Sequence, residues 1–593
     1  MPKNDSQLDD FFGFKPIGEK ESNKESFREI AVKKINAARL ELLPKILSKK
    51  ERYLIFSLVL IILGSVIAVP FSSFYHFTKI APDYGGSFSE GIVGEPRYIN
   101  PLLSQTNDAD RDLVSLMFSG ILQYNKAGKL IPDLAKSYEI SSDGLNYTVY
   151  LKENAKWHDG EPLTADDIIF TIQTAQNSDY GSAQRINWYG VELEKVNDYA
   201  VMFRLKNKYA QFLNSWTINI LPKHLWQDIK PINFALSEFN LKPIGSGPYK
   251  FKKLKKDKLG RIQSYELESN KNFYDGRPYI GNVEIKFYNS EDEMIDAYNK
   301  NDVSSLSSLS SKNLDKIKFK KRLSIKNLKL PRYFAVFFNQ NQSKILSDKN
   351  VRLAMNYGAD KQEIIQKVLN NNGLSVNSPM VDGIIDIQSG AKPYEYDLEQ
   401  AKKLLADAGW NLPGDNGILQ KKDEKLSVTL TVPLLSDLMD TANIIKDQWS
   451  KIGIEVKITT LTTPELQQAI KERNYQMLLF GEILMPDPDP FSLWHSSQKK
   501  DPGQNLALYD NKAADTLLDE ARQTLNPLER MKKYDDFQKL VAADAPVTLL
   551  YNPFFLYGQT QKIKGFDAEI ISVPSDKFSN IEKWYIKTQR AWK

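Results

Sequence analysis

The strongest pattern in this sequence is an unbroken apolar run near its beginning. Between Arg52 and Lys79, no Asp, Glu, Lys or Arg interrupts 26 residues, which begin YLIFSLVLIILGSVIAVPF. At 1.5 Å per residue, a helix of this length reaches about 39 Å, against about 30 Å for the hydrocarbon core of a bilayer. We therefore predict one transmembrane anchor over residues 53–71, with Pro70 ending the regular helix and interfacial aromatic residues just beyond it.

Basic residues flank this run unevenly. Only Lys79 follows it closely, whereas four basic residues precede it: Lys45, Lys49, Lys50 and Arg52. Positive charge is retained on the cytoplasmic side, so the sequence predicts a single-pass protein of the cell membrane. Its cytoplasmic tail is residues 1–52, and its main domain is extracytoplasmic. A cleaved signal peptide is the alternative, although its charged region would be about 50 residues long.

Charge is concentrated in the predicted tail. Residues 1–52 carry 12 Lys or Arg and 9 Asp or Glu, which is +3 of the formal +5, so the exported part is nearly neutral. A nearly neutral surface does not fit a nucleic-acid partner. Apolar residues recur at helical spacing from Phe27 to Leu42, which predicts a short helix lying on the inner membrane surface or docking on a protein.

Strand patterns alternate with helical ones along the exported chain. Residues 145–152, 199–206 and 283–288 read LNYTVYLK, YAVMFRLK and VEIKFY, and this alternation predicts a mixed α/β fold. The Ser-rich run at 304–312 is predicted as a loop leading into a helix. A chain of 593 residues is too long for one core, so two or three folding units are expected.

Composition removes several kinds of chemistry. The chain has no Cys, which excludes disulfides, thiolate nucleophiles, zinc sites of the Cys type and a lipid-modified Cys. Its four His residues form no HExxH motif, and neither GxSxG nor a phosphate-binding GxxxxGK[ST] motif is present. We expect no enzyme, no metal and no cofactor. Paired carboxylates for glycoside cleavage stay open, because their separation is a tertiary property.

The most informative stretch runs from Leu113 to Gln173. It contains SSDGLNY, in which Gly144 is free to take a positive φ, and WHDGEPLTADD, in which Thr164 and Asp167 form a helix-starting capping box. This stretch resembles the signature region of the family 5 solute-binding proteins, which serve peptide, nickel and some sugar transporters. Other segments extend the resemblance in order: GIVGEPRYINPLLS, IGSGPYKF, VRLAMNYGADKQEII and WSKIGIEVKI.

The resemblance implies a fold of two lobes. It is an α/β, periplasmic-binding-protein-like clamp of the class II or cluster C type, preceded here by the transmembrane helix. Two crossing segments, near LPRYFAVFFNQ and APVTLLYNPF, would act as the hinge. The implied bounds are 84–330 plus 546–593 for lobe I, about 128–240 for an extra subdomain within it, and 331–545 for lobe II.

The resemblance also implies a function. The protein would capture a solute, first of all a peptide, and deliver it to the permease and ATPase subunits of an ABC importer, acting as a monomer. Two alternatives remain. One is a surface sensor or receptor on the same fold, and the other is a binder of a non-peptide solute such as a glycan or a metal chelate.

One segment departs from the pattern of peptide-binding relatives. There, an Asp a few residues after a Gly-Trp pair commonly pairs with the α-amine of the ligand. Here the Trp position is Glu482, and the anchor position falls on or near Leu484. Glu482, Asp487 or Asp489 are candidate replacements, because a carboxylate in a water-poor cleft binds an ammonium strongly. The alternative for DPDPF is a Pro-braced loop whose carboxylates cap a following helix.

Three further residues are candidates for ligand binding. Trp494 follows the departing segment and either lines the cleft or belongs to the core. Tyr98 and Asn100 lie in the segment that resembles the opening strand of the family. In contrast, we read His158 as part of the scaffold, not as a catalytic or metal-binding group.

Overall fold

The computed structural model describes residues 47–381 and 390–593. The chain forms two compact units. The smaller unit ends at Ala81 and includes Arg590–Lys593, and the larger unit is Pro82–Gln589. The helix predicted in the cytoplasmic tail lies outside the described residues.

Helices and strands alternate along the described chain, which confirms the predicted mixed α/β fold. The helices are α1 Lys49–Phe77, α2 Asp108–Met117, α3 Ala165–Gln176, α4 Arg185–Trp188, α5 Lys223–Trp226, α6 Pro231–Phe234, α7 Glu291–Asn299, α8 Lys344–Ser347, α9 Lys349–Tyr357, α10 Lys361–Leu369, α11 Leu398–Asp407, α12 Ser436–Ser450, α13 Thr463–Glu472, α14 Phe491–Trp494, α15 Lys512–Gln523 and α16 Pro527–Asp544. The strands are β1 Thr78–Asp83, β2 Ser87–Val93, β3 Leu122–Tyr124, β4 Leu130–Pro132, β5 Ala135–Ile140, β6 Asn146–Leu151, β7 Glu192–Asn197, β8 Ala200–Arg204, β9 Tyr249–Lys256, β10 Ile262–Ser269, β11 Asn282–Tyr288, β12 Ser305–Leu309, β13 Leu323–Leu328, β14 Arg332–Phe338, β15 Gly373–Ser375, β16 Leu412–Pro413, β17 Leu419–Lys421, β18 Glu424–Lys425, β19 Ser427–Pro433, β20 Glu455–Leu461, β21 Met477–Ile483, β22 Val547–Pro553, β23 Phe555–Thr560 and β24 Lys587–Trp592.

Helix α1 makes up most of the smaller unit. Ser48 caps its start, because the Ser48 N–H donates to the Glu51 carboxylate at 2.8 Å and the Ser48 hydroxyl accepts from the Glu51 N–H. No residue of α1 is buried, and the helix is long and apolar enough to cross a membrane. The prediction that the regular helix ends at Pro70 is wrong: the helix continues to Phe77. Pro70 removes one backbone N–H donor, but the turns on either side of it stay helical.

A seven-stranded sheet organises the first part of the larger unit, in the order β13-β23-β12-β2-β11-β10-β9. Strand β2 is parallel to β11 and β12, and the other pairs are antiparallel. Side chains alternate between the two faces, since successive strand residues point in opposite directions. Tyr265 and Leu267 on β10 and Val283 and Ile285 on β11 are fully buried in the core.

A six-stranded sheet, in the order β15-β22-β14-β21-β19-β20, organises the other part. Its strand β14 pairs antiparallel with both β21 and β22 and is buried on both faces. Val336 and Phe338 join an apolar cluster that contains Trp449, whereas Tyr333 and Phe337 join a second cluster on the opposite face. Helices therefore cover both faces of this sheet, which explains the continuous apolar sequence of β14.

The chain passes between the two sheets at two places. It leaves β13 at Leu328 and enters β14 at Arg332, and it leaves β22 at Pro553 and enters β23 at Phe555. Both connections are therefore only a few residues long.

A separate four-stranded antiparallel sheet, in the order β5-β6-β8-β7, packs with α3 inside the region predicted as an extra subdomain. The predicted capping box starts α3: the Thr164 N–H donates to Asp167 Oδ2 at 2.8 Å. The predicted turn at Gly144 is also confirmed, with φ at 69°.

Candidate ligand-binding site

A cavity of about 340 Å³ lies in the larger unit. It is lined by the second half of α2, by β3, by the segment 214–219 and by the segment 572–582. Met485, which follows β21 of the six-stranded sheet, also lines it. The cavity therefore gathers chain segments that are hundreds of residues apart, and its volume is in the range of small-molecule and cofactor sites.

Carboxylates dominate the charged groups of this cavity. Its lining includes one Arg, Arg111, and four acidic residues, Asp133, Asp275, Asp576 and Glu582. The remaining lining is mainly neutral polar and apolar, with Ser, Asn and Gln side chains among Phe, Leu and Ile. A lining of this composition favours a ligand that carries a positive group alongside hydrogen-bonding groups.

Two of these carboxylates are fixed by hydrogen bonds from their own surroundings. Asp133 accepts from the Gly120 N–H at 3.0 Å and from the Tyr274 hydroxyl, and burial raises its pKa to about 7. Asp576 accepts from the backbone N–H groups of Ser572 and Val573 at 2.7 and 3.1 Å through Oδ2. Burial raises the pKa of Asp576 as well, so a nearby cation would favour its charged form.

The loop 484–490 borders the cavity and contains two of the candidate amine anchors. Asp487 is paired with Arg530, whose Nη2 lies 3.1 Å from both carboxylate oxygens. The Asp487 carbonyl accepts from the Asn214 side chain at 2.8 Å, and Asn214 itself lines the cavity. The loop thus connects α16, through Arg530, to Asn214 in the cavity wall.

Asp489 is held in a similar way. Its Oδ2 accepts from Arg522 Nε at 2.9 Å and from the Tyr209 hydroxyl at 3.1 Å. The carbonyl of Pro488 accepts from the side chains of Gln211 at 3.0 Å and Tyr534 at 3.1 Å. Both aspartates therefore already have cationic or hydroxyl partners, and a ligand amine would have to compete with two arginines.

Glu482 on β21 and Trp494 on α14 are both buried, on the face of the six-stranded sheet that carries Tyr333. Glu482 is 4% exposed and accepts from the Tyr333 hydroxyl. Burial raises the pKa of Glu482 to about 8, so the group is mainly protonated at neutral pH. Trp494 is 1% exposed and packs edge-on against Tyr509 and Phe537. Neither residue lines the cavity.

Tyr98 and Asn100 occupy different surroundings. Asn100 is fully buried, donates to Asn240 Oδ1 at 3.1 Å and accepts from the Leu102 N–H at 2.9 Å. Tyr98 lines a second, open depression of about 590 Å³ together with Asp110. The six predicted ligand-binding residues are therefore not brought to one place, and their roles in binding stay predictions.

His158 serves the scaffold, as the sequence suggested. Its Nδ1 accepts from the Gly245 N–H at 3.1 Å, which leaves Nε2 to donate to the Gly247 carbonyl at 3.1 Å. Burial lowers the pKa of His158 to about 4. Across residues 47–381 and 390–593, no group of three or more acidic, His or Cys side chains is placed to hold a metal ion.

Sequence reasoning missed the acidic cavity wall. Asp133, Asp275, Asp576 and Glu582 are separated by up to 450 residues and lie in no shared motif. Only the pairing of strands and the packing of the C-terminal segment against α2 bring them to one surface. No local signal in the sequence distinguishes them from the many other acidic residues of the chain.

Two sheets joined by two short crossings, with a polar cavity beside them, define a solute-binding protein. The model for bacterial extracellular solute-binding proteins, family 5, matches residues 129–504. The chain is 31% identical over 526 residues to the oligopeptide-binding protein AppA of Bacillus subtilis, covering 85% of this chain and 92% of that protein. The chain belongs to family 5 of the bacterial extracellular solute-binding proteins.

Solved structures agree with this assignment. The structure of B. subtilis AppA in complex with a nonapeptide matches with a TM-score of 0.67 at 29% identity, over 86% of this chain and 100% of that one. NikZ from Campylobacter jejuni in complex with Ni(L-His) matches with a TM-score of 0.68 at 28% identity, over 84% of this chain and 99% of that one. The fold is therefore that of periplasmic solute-binding proteins, and its relatives hold chemically different ligands.

Proposed function

We propose that this protein captures a peptide between two lobes and delivers it, chemically unchanged, to an ABC importer. The observation that carries the proposal is the polar, acidic cavity beside two sheets in a chain of this family. A relative at 29% identity holds a nonapeptide, which gives peptides priority over other solutes. The permease and ATPase subunits are the expected partners.

The two sheets support the proposed division into lobes. Lobe I would be built on the seven-stranded sheet and lobe II on the six-stranded sheet. Because β22, Val547–Pro553, pairs within the six-stranded sheet, we move the predicted boundary from 545/546 to 553/554, which gives residues 84–330 and 554–593 for lobe I and 331–553 for lobe II. The crossings at 329–331 and at 554 are the narrowest connections between the sheets and are our candidates for the hinge. A ligand that touches both lobes favours closure by its higher affinity for the closed state.

Ligand recognition is the first part to test. We place the ligand's α-amine at the acidic cavity wall, because Asp487 and Asp489 are already paired with arginines and Glu482 is buried. Asp576→Asn keeps the shape and one hydrogen-bonding oxygen but removes the charge. It should weaken a peptide with a free N-terminus about 10- to 150-fold, and the N-acetylated peptide much less.

Calorimetry with both peptides measures this difference. Asp315→Asn is the matched control, since it removes the same charge from a side chain that is 95% exposed and lies outside the cavity lining. If Asp576→Asn weakens the two peptides by the same factor, or weakens neither, the amine is not bound at Asp576. If Asp487→Asn or Asp489→Asn shows the selective loss instead, the amine is bound by the loop.

Native mass spectrometry of the purified protein tests the ligand class directly. A co-purified peptide supports the proposal. A metal chelate would favour the ligand type held by the C. jejuni relative, and a ligand converted at catalytic rates would overturn the binding function altogether.

The membrane topology is part of the same proposal. Helix α1 spans the membrane once, with the basic flank at Lys49, Lys50 and Arg52 in the cytoplasm and the larger unit outside. Protease added to intact cells should digest the chain beyond Lys79 and spare the first 50 or so residues. Complete protection of the larger unit would show that the proposed orientation is wrong.

A further inference from the structure

The end of helix α1 and the last four residues of the sequence form one basic and aromatic surface in the smaller unit. The Arg590 guanidinium lies over the Tyr75 ring at 4.0 Å, and its Nη2 and Nε donate to the Tyr75 carbonyl at 3.3 Å and the Thr78 hydroxyl at 2.9 Å. The Trp592 ring meets Phe74 edge-on at 6.4 Å. We call residues 74–79 and 590–593 the collar.

The collar is exposed despite its aromatic character. Trp592 is 71% exposed, Phe77 56% and Tyr75 49%. Its charged side chains are all basic, namely Lys79, Arg590 and Lys593. An exposed cluster of aromatic rings beside positively charged side chains is unusual on a surface that faces only water. It suits the boundary between lipid and water, where Trp and Tyr are enriched.

The length of α1 places the collar at that boundary. A hydrocarbon core of about 30 Å takes up about 20 helical residues, so a span that begins at Tyr53 leaves the core near Ser72. The residues from Phe74 to Phe77 then rise through the headgroup layer, which is several Å thick. Arg590 and Trp592 contact these residues and therefore lie at the same depth.

We propose that the collar is a second membrane attachment, which binds the phosphates of anionic lipids in the outer leaflet. A guanidinium has five N–H donors, and only two of the Arg590 donors are engaged by Tyr75 and Thr78, so others are available to a lipid phosphate. The inference rests on the proposed single span. If the collar binds lipid, the membrane-bound segments are residues 74–79, which precede the larger unit in sequence, and residues 590–593, which follow it.

The absence of Cys from the sequence allows a direct test with single nitroxide labels in the full-length chain. Ala591→Cys reports the collar and leaves its aromatic and basic residues in place. Gly64→Cys reports the middle of α1, where a new side chain meets nothing within 4 Å. Leu259→Cys, at a position that is 80% exposed in the larger unit, is the aqueous control. Each protein is reconstituted in vesicles of phosphatidylcholine with or without phosphatidylglycerol.

We expect the Ala591 label to be shielded from a water-soluble nickel chelate in the phosphatidylglycerol vesicles, while the Leu259 label stays accessible. Replacing Lys79, Arg590 and Lys593 with Gln should lower the ratio of bound to free collar about fivefold per cation. Equal shielding in pure phosphatidylcholine would overturn the assignment to anionic lipid. An Ala591 label as accessible as the Leu259 label would overturn the collar itself, provided that the Gly64 label lies in hydrocarbon. A water-accessible Gly64 label would instead overturn the single span.

Discussion

Removing one buried cation offers a sharp test of the packing in the larger unit. Lys577 lies on the segment that borders the cavity, and its ammonium pairs with Asp112 of α2 and lies 3.7 Å from Glu90 Oε1 of β2. All three side chains are at most 3% exposed. Lys577→Met keeps the length of the side chain and leaves two carboxylates without their cation.

The expected cost follows from this burial. Breaking a buried pair by removing one partner costs about 3–5 kcal/mol, because the remaining charge is neither solvated nor paired. The larger unit has about 500 residues, and an unfolding entropy of about 2.1 cal/mol/K per residue makes each kcal/mol worth about 1 °C. The midpoint of thermal unfolding should therefore fall by about 3–5 °C near pH 7.

The cost should also depend on pH. Burial raises the pKa of Glu90 to about 7 and raises that of Asp112. The Lys577 charge lowers the pKa of both groups, so in the folded variant the two carboxyl groups should bind more protons than in the folded parent protein. Stability falls as pH rises wherever the folded state holds more protons than the unfolded state, and one extra proton is worth about 1.4 kcal/mol per pH unit. The penalty should therefore be smallest near pH 5.5 and grow towards pH 8.

Thermal and urea unfolding of the parent protein and the variant across this pH range measure the effect. Lys583→Met is the matched control, since Lys583 is 61% exposed and its ion pair with Glu582 should be worth less than about 1 kcal/mol. Adding Asp112→Asn to Lys577→Met should recover part of the loss. A penalty that does not change with pH, or one no larger than that of the control, would refute the reasoning.

Four other substitutions probe three separate features by unfolding measurements. Arg530→Met and Asp487→Asn should each destabilise the protein by about 1.5–3 kcal/mol, and the double variant should show coupling of at least about 1 kcal/mol; simple additivity would mean that the pair contributes little. Gly245→Ala would place a Cβ only 1.8 Å from the Met117 carbonyl oxygen, so we expect severe destabilisation, and an unchanged midpoint would contradict this packing. Glu482→Gln should stabilise the protein at pH 7 by up to about 3 kcal/mol, because the folded carboxyl, whose pKa burial raises to about 8, holds a proton that the unfolded carboxyl has released. Between about pH 4.5 and 8 the parent protein should lose about 1.4 kcal/mol of stability per pH unit that the variant does not lose, and parallel pH profiles would show that burial does not raise the pKa of Glu482.

Local features of the fold could be predicted because their causes are local. The strand patterns at 145–152, 199–206 and 283–288 became β6, β8 and β11, since alternation of apolar residues needs only one buried face. The Ser-rich run at 304–312 shows the limit of this reasoning. It forms β12, because its backbone pairs with β2 and β23 and its position in the sheet overrides the weak strand preference of Ser.

The sequence by itself determined the apolar span, the mixed α/β class and the family, because hydrophobic periodicity and ordered motifs are written along the chain. Tertiary structure alone decided what each polar residue does. Asp487 pairs with Arg530 and Asp489 with Arg522, whereas Glu482 and Trp494 are buried in the core. Carboxylates that are far apart in the sequence line one cavity. The physical reason is that the charge and affinity of a carboxylate depend on its burial and on its partners across space, and neither is a property of its neighbours in sequence.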